Sequence, residues 1–505
     1  MHVLRLPLET TEYEKQILTR RFYMISHLHN VMVKQAKKRM IQLRYDKNYI
    51  SAKTEYTELL KKHKLSKEDS VRKKELSKIM SDIRSTYGLS KYSFEAYLKV
   101  CGKQFKKHIS SQQVQKEADR VWEGVEKILF GNGKELHFKK YRDFSTICGK
   151  TNTNGIKFDP DTLNVEYIRL HMKCTVPKKN ASYVAESLNH KISYCEIKRL
   201  MFPNGWHYYL NIYLDGNAPH KISNVGSPDN TTGIDIGTST IATASETKLT
   251  LKELAPKCKD YNKKICKLLE HLDRSKRASN PAKYKADDTI DRTNHDKWVF
   301  SKTYLKDRDK LKSLYRQKAA YTKQSHEEYA NELIRDSVYF IVETMNFRGL
   351  AKRSQKTERQ DKISVVKQKD GTVKQVHKYK KKKRFGSSMN NRSPALMIQI
   401  LKHKAEQYGG ALVCANTREF RASQYNHIDD IYEKTTLGDR SKIIGGHKVQ
   451  RDLYSAFLLK NSDDTLNHTD REKCIYSFKK FLTMQIKLIE DMINDNISMK
   501  QCFGF

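Results

Sequence analysis

The chain has 505 residues, enough for several hydrophobic cores, and the usual domain size divides it into roughly three to five units, which excludes one small module. Lys and Arg total 97 against 58 Asp and Glu, a formal charge of +39 with histidine neutral, and like charge on that scale favours a polyanionic partner. No apolar run approaches the roughly 20 residues of a transmembrane helix, and the opening MHVLRLPLETTEYEKQ carries acids where a signal peptide needs an apolar core, so a cytoplasmic protein without a membrane partner is expected.

The first segment pairs a short apolar and polar alternation, LRLPLE, with a helix that either Thr10 or Thr11 can cap. From about Asn30 to Phe130 the pattern is helical and dense in Lys and Glu, interrupted at Gly88 and Gly102. Such helices are usually solvated, and their net positive charge also suits a face turned to nucleic acid. Between about Gly131 and Ile222 the texture becomes β: YVAESLNHKISYCEIKRLMF and GWHYYLNIYLDG are predicted strands around a turn at Pro203-Asn204-Gly205. The aromatics from Trp206 to Leu214 suit base stacking or, more commonly, a plain strand core. From Thr231 the order is strand hairpin, charged helices, apolar strand, basic insert, helix, strand, loop, helix, the texture of an α/β domain.

Three carboxylates stand out in that last region. In TTGIDIGTSTIATAS a strand leads into a tight turn at Gly237 and a second strand, and alternation places Ile234 and Ile236 on one face and Asp235 on the other. A carboxylate in so apolar a strand needs a compensating partner, and a divalent cation is one; alone, Asp235 reads equally as a turn residue accepting hydrogen bonds. Five apolar residues, Val338 to Val342, predict a covered central strand that ends at Glu343. Ligands gather at the carboxyl ends of strands in open α/β sheets, although a solvent-facing Glu at a strand end is common. Asp452 falls in the first turn of a helix in RDLYSAFLLK, a place that suits an acid through the helix dipole alone. The functional argument rests on the three together, because phosphodiester hydrolysis with two metal ions needs carboxylates converging from different elements. Acids so clustered repel one another, so an empty site should have raised carboxyl pKa values and release protons on binding metal.

TTGIDIGTSTIATAS, YFIVETMNFRGLAKR and RDLYSAFLL resemble the three RuvC motifs of the TnpB proteins of insertion sequences and of the compact type V CRISPR effectors. The likeness extends to LDRSKRASNP after the first motif, to SPALMIQILKHKAEQYGGALV before the third, and to the opening LRLPLETTEYEKQ. It covers most of Thr231 to Leu459 and, more faintly, the first forty or so residues. It implies an α/β fold with separate α and β parts: an RNase H-like RuvC nuclease domain over 229–505, a helical recognition domain over 30–130, and a small β-barrel wedge domain built from 1–29 and 131–228. The implied activity is an RNA-guided DNA endonuclease that recognises a short motif beside its target and cuts both strands at one site. Asp235, Glu343 and Asp452 match the catalytic acids and would hold two magnesium ions. The implied partners are a guide RNA and target double-stranded DNA, in a monomeric ribonucleoprotein of the prokaryotic cytoplasm, near the nucleoid. A heteroduplex gripped through its backbone needs an extended basic channel, and Arg274, Lys276 and Arg277, with Lys381, Lys382, Lys383 and Arg384, are candidate contacts. At this length the chain exceeds minimal transposon-encoded relatives, which fits either a form intermediate between transposon and CRISPR proteins or a CRISPR-associated one.

Two features depart from the family. Most relatives carry a zinc ribbon with two C-x-x-C pairs before the third motif, whereas 417–450 of this chain has none. Asn426 and Asp429 stand roughly where the first pair belongs, while Ser423-Gln424 and Leu437-Gly438-Asp439-Arg440 keep the family's look. His427, His447 and Cys414 offer neither the number nor the spacing of a structural zinc site, so no zinc is expected and the loop should hold its shape by packing and hydrogen bonds. None of the nine cysteines forms a C-x-x-C pair, which fits a reduced compartment, and Cys258 and Cys266 are expected to be ordinary thiols. The second departure is a basic insert, 355–384, in which VVKQKDGTVKQVHKY predicts a hairpin turning at Asp370-Gly371, followed by an unbroken basic run from Lys380 to Arg384. After Lys460, the residues Phe478, Phe481, Leu482, Ile486 and Ile489 mark an amphipathic helix whose apolar face packs into the core.

Two other functions fit parts of the pattern: an RNA-guided DNA-binding protein that does not cut, and a RuvC-like resolvase or transposase that uses no guide. Retention of all three acids argues against the first, and the large basic regions ahead of Thr231 have no obvious use in the second.

Overall fold

The structure is a computed structural model that describes residues 1–62, 65–131, 133–202, 204–286, 289–351, 359–367, 373–379, 385–434, 439–495 and 497, with side chains in the strands 359–367 and 373–379 described only at 363, 365, 373, 375 and 377. It divides into two compact units, Met1–Lys221 and Ile222–Phe505. No helix among the described residues is long and apolar enough to cross a membrane.

The first unit joins a seven-stranded antiparallel, barrel-like sheet to a group of helices. His2–Glu9 pairs with Gly205–Leu214 and His171–Cys174, so the first strand of the chain lies inside the sheet, between strands nearly two hundred residues away. The Glu12–Arg44 helix starts at Thr11, whose side chain accepts from Glu14 N while Glu14 reaches back to the Thr11 amide, a reciprocal cap. The helices Lys47–Lys61, Lys67–Thr86, Lys91–Gly102 and Ser111–Phe130 follow. Arg199, fully buried, lies against the rings of Phe22, Tyr141 and Trp206 and donates to the Phe144 and Tyr141 carbonyls, so its charge is spread over aromatic faces and backbone. The β region differs from its sequence expectation at one place. In YVAESLNHKISYCEIKRLMF only Ile192–Phe202 is a strand, and Ala181–Leu188 is a helix that buries Val184 and Ser187. Ala, Glu and Leu favour that local helix, and the apolar positions before Asn189 are too few to establish a period of two.

The second unit is built on a five-stranded sheet in the order Leu249–Glu253, Thr240–Ala244, Ser227–Ile236, Ser337–Glu343, Ala411–Ala415. The first three strands are antiparallel, and the last three run parallel. Alternation along the strands divides the core in two. Ile234, Ile236, Phe340 and Val342 pack on the helices Lys302–Ile334 and Pro394–Gln407, while Ala242, Ala244, Ile341, Leu249 and Leu251 pack on Arg451–Lys460 and Arg471–Asn494. The insert forms an antiparallel ribbon of Arg359–Lys367 with Val373–Tyr379; its expected turn at Asp370-Gly371 lies outside the described residues. In the stretch 417–450, two small ribbons form, Tyr425–Asn426 with Ile431–Tyr432 and Ser441–Ile444 with His447–Gln450.

The last helix, Arg471–Asn494, differs from expectation in its inner stripe. Phe478 and Phe481 are buried, but Ile486 is 56% exposed and its neighbour Gln485 is buried instead.

Candidate active site

The carboxylates Asp235 and Glu343 are placed by strand register. Ile234 is paired with Val342 on the neighbouring parallel strand, so one residue further Asp235 and Glu343 stand side by side at the carboxyl ends of adjacent strands, with strand axes about 4.8 Å apart. Both alternate onto the face that carries Ala242 and Ile341, the face covered by the Arg451–Lys460 helix. Asp452 lies in the first turn of that helix and is 9% exposed. Helix and strand approach closely because Gly233 lacks a side chain: a Cβ there would collide with the Ala456 carbonyl and the Lys460 amide. Thus the three acids come from two neighbouring strand ends and one helix start, all on one side of the sheet.

Their electrostatics follow from this convergence. Burial first, then the carboxylates of Asp452 and Glu343, push the Asp235 carboxyl well above the ordinary range, with Arg451 and Arg440 pulling it back. Burial also raises Glu343, opposed by the Ala422 amide, which donates to Glu343 Oε1 at 3.0 Å. Asp452 is held by guanidinium groups: Arg440 Nη1 lies 3.5 Å from its Oδ2, and Arg451 Nη2 lies 3.3 Å from its Oδ1. Among the described residues no hydrogen-bond donor reaches the Asp235 carboxylate.

Three carboxylates of hard oxygen donors, one of them without a donor partner, have the chemistry that suits a magnesium ion. As they stand, no group of three or more His, Cys, Asp or Glu side chains among the described residues is arranged to hold a metal ion. Asp452 has a guanidinium beside each oxygen, contacts that a shared cation would have to displace or join, whereas Glu343 can offer Oε2 to a cation while its Oε1 keeps the Ala422 amide.

The candidate zinc residues are apart in role. His427 is fully buried, its Nδ1 2.7 Å from Tyr454 Oη and its ring packed edge-on against Phe478, and burial lowers its pKa to about 4. His447 and Cys414 are exposed. Asn426 and Asp429 are joined by a hydrogen bond of 2.7 Å, and Asn426 Oδ1 also accepts from Ile428 N, so a side-chain turn holds this part of the loop. Arg471 secures it from the last helix by donating to the His427 and Ile428 carbonyls. Of the two thiols noted in the sequence, Cys258 is buried beside Thr322 and Cys266 is exposed.

The candidate nucleic-acid contacts divide in the same way. Arg274 is exposed, whereas Lys276 lies over the Trp298 ring at 4.0 Å and Arg277 is paired with Asp273 and stacked on Tyr284. The cations of Lys276 and Arg277 are therefore engaged in local structure. Lys381, Lys382, Lys383 and Arg384 lie outside the described residues.

Sequence reasoning did not single out Gly233, Arg451, Gln450 or Gln485, and it named Arg440 only within the Leu437-Gly438-Asp439-Arg440 stretch, without a role beside Asp452. A glycine inside a strand two residues from an isolated acid was a usable signal of close backbone approach, and Arg451 adjoins Asp452. For Arg440 and Gln485, contacts made only by the folded chain supply the evidence.

Comparison with known proteins returns no matching family model and no matching curated protein. Among solved structures, the chain is similar to one described as "Cryo-EM structure of CRISPR-Cas12f Ternary Complex", at 13% identity and a TM-score of 0.27, over 89% of this chain and 82% of that one.

Proposed function

We propose that this chain is an RNA-guided DNA endonuclease that hydrolyses phosphodiester bonds at one RuvC-like site, with 229–505 as the nuclease domain, 30–130 as a recognition domain, and 1–29 with 131–228 as a wedge domain. The observation that carries the reading is the convergence of Asp235, Glu343 and Asp452 on one side of the sheet, close enough that each of the other two raises the Asp235 carboxyl. Together with the three motifs in RuvC order, it fits a nuclease better than three unrelated acids would. Magnesium bound there would polarise the phosphate, activate a water and stabilise the leaving oxygen.

The chain's own residues prepare that chemistry. Asp235 offers an oxygen ligand whose ionisation is costly until a cation arrives. Glu343 is oriented by the Ala422 amide, and Asp452 is held in place by the guanidinium groups of Arg440 and Arg451. The partners proposed are a guide RNA and double-stranded DNA, consistent with the net charge of +39. The test is to isolate the protein from its host and sequence the RNA that accompanies it, then to compare DNA cleavage in magnesium by the wild-type complex and by Asp235→Ala. A discrete RNA with cleavage by the wild type alone is expected. Equal cleavage by both would remove the metal assignment, and cleavage by neither would favour guided binding without cutting.

A further inference from the structure

The helix that carries Asp452 has an unusual start. Its N-cap is Gln450, whose side chain accepts from Leu453 N at 2.6 Å; shorter Ser, Thr, Asp and Asn are the common choices because they need little ordering to reach that amide. Gln450 is 1% exposed. Its own backbone amide, which no helical bond satisfies, donates to Gln485 Oε1 at 2.8 Å. Gln485 belongs to the last helix and is itself 2% exposed, and its Nε2 donates to the Lys448 carbonyl at 3.2 Å. A single buried amide thus grips both ends of the segment 448–450, immediately before the turn that holds Asp452.

Along the last helix this position continues the stripe of Cys474, Phe478 and Phe481, which meets the apolar core. A polar side chain there costs desolvation energy unless it is hydrogen-bonded, and Gln485 spends both its donor and its acceptor on the backbone beside Asp452. The exposed neighbour Ile486 does not contribute to that core.

We propose that Gln485 is a positioning residue for Asp452, acting through the Gln450 amide to set where that carboxylate meets Asp235 and Glu343. The inference rests on the reading of the three acids as a metal site. Ligand-orienting partners of this kind are worth about 10- to 100-fold in metal affinity or activity.

The test uses the full chain and manganese as the probe, with affinity measured by calorimetry in the absence of nucleic acid and the exchange rate of the Gln450 amide measured alongside. Gln485→Met keeps volume and removes both hydrogen bonds. Gln485→Glu keeps the acceptor for the Gln450 amide. The expected result is manganese affinity about 10-fold weaker in Gln485→Met, with faster Gln450 exchange, and within about 3-fold of wild type in Gln485→Glu. Should Gln485→Met not fold, Gln485→Asn, one methylene too short to reach, replaces it with the same expectation. Wild-type affinity in Gln485→Met or Gln485→Asn would overturn the inference and leave the nuclease reading standing, as would an equal loss in Gln485→Glu. Manganese binding by the wild type no tighter than by an Asp235→Ala, Asp452→Ala double variant would overturn both.

Discussion

Gly233 and Ala456 meet backbone to backbone, so the strand that carries Asp235 touches the helix that carries Asp452 with no side chain between them. Gly233→Ala inserts a methyl where the Ala456 carbonyl and Lys460 amide already stand. Neither is a flexible side-chain end, so the helix has to move. Overpacking of that kind costs about 1–3 kcal/mol, and a displacement of about 1 Å at a reacting centre is worth about 100-fold in rate. Urea unfolding and cleavage rate should therefore both fall. Wild-type values for both would mean that the two backbones stand further apart than this contact requires.

The raised Asp235 carboxyl makes a signed prediction for the metal-free protein. An acid whose pKa rises on folding binds its proton more readily in the folded chain, so its ionisation is a penalty at neutral pH that fades as pH falls through the raised value toward the ordinary 3.8. Asp235→Asn removes that penalty at every pH. Without divalent cations it should be more stable than wild type at pH 7 by about 1 kcal/mol, with the difference shrinking toward pH 4. Added magnesium should stabilise the wild type and not the variant. Denaturant titrations at several pH values check both statements, and a variant less stable than wild type at pH 7 would contradict the repulsion argument.

His427 acts with the opposite sign in an overlapping window. Burial lowers its pKa from 6.5 to about 4, so below 6.5 the unfolded chain binds a proton that the folded chain refuses, and stability is lost as pH falls from 6.5 toward 4. From pH 7 to pH 5 that loss amounts to about 2 kcal/mol. His427→Asn keeps a polar atom near Tyr454 Oη and cannot titrate, so it should start less stable at pH 7 and lose about 2 kcal/mol less than wild type on going to pH 5. Equal acid sensitivity in the two proteins would mean that the imidazole is hydrated. Combining the variant with Asp235→Asn separates the two opposing contributions.

How much of this was legible in the chain depended on whether the signal was local. The Asp235 hairpin, the apolar strand ending at Glu343 and the helix starting beside Asp452 each follow from alternation, a turn glycine or a helical stripe within about fifteen residues, and the structure forms all three elements. The placement of His2–Glu9 between two distant strands left no local trace, because pairing across about two hundred residues is decided by the sheet as a whole. The last helix shows the same limit at single-residue scale: hydrophobicity favours Ile486 for the inner stripe, but the unsatisfied Gln450 amide gives Gln485 a reason to be there that no pattern of apolar residues contains. Charge counting likewise treated Arg274, Lys276 and Arg277 as equals, although two of them face aromatic rings.

Arg440 holds Asp452 from a loop residue that is 33% exposed at its side chain. If the three acids hold a metal as proposed, this guanidinium competes with the cation for the same carboxylate and also repels it. Arg440→Ala should therefore tighten manganese binding to the protein alone by about 2- to 5-fold, the scale of a partly exposed ion pair at about 0.5–1 kcal/mol. Calorimetry measures this directly. Weaker binding in the variant would show that Arg440 orders Asp452 for the metal rather than opposing it.

The division among the three basic residues of the Cys258–Ala278 helix separates a proposed phosphate contact from packing. Arg274 is exposed, so Arg274→Ala should weaken nucleic-acid binding without changing the melting temperature, and should lower the slope of log affinity against log salt by about 0.9 for a duplex or about 0.7 for a single strand. Lys276 lies over Trp298 at 4.0 Å, and its removal uncovers a half-buried ring rather than a phosphate site. Lys276→Ala should cost about 0.5–1 kcal/mol of stability and leave the salt slope unchanged. Filter binding across a salt series and thermal melting, run on the same preparations, tell the two apart. A reduced salt slope in Lys276→Ala with none in Arg274→Ala would mean that nucleic acid draws the lysine off its aromatic partner, and that Trp298 is left free to stack against a base.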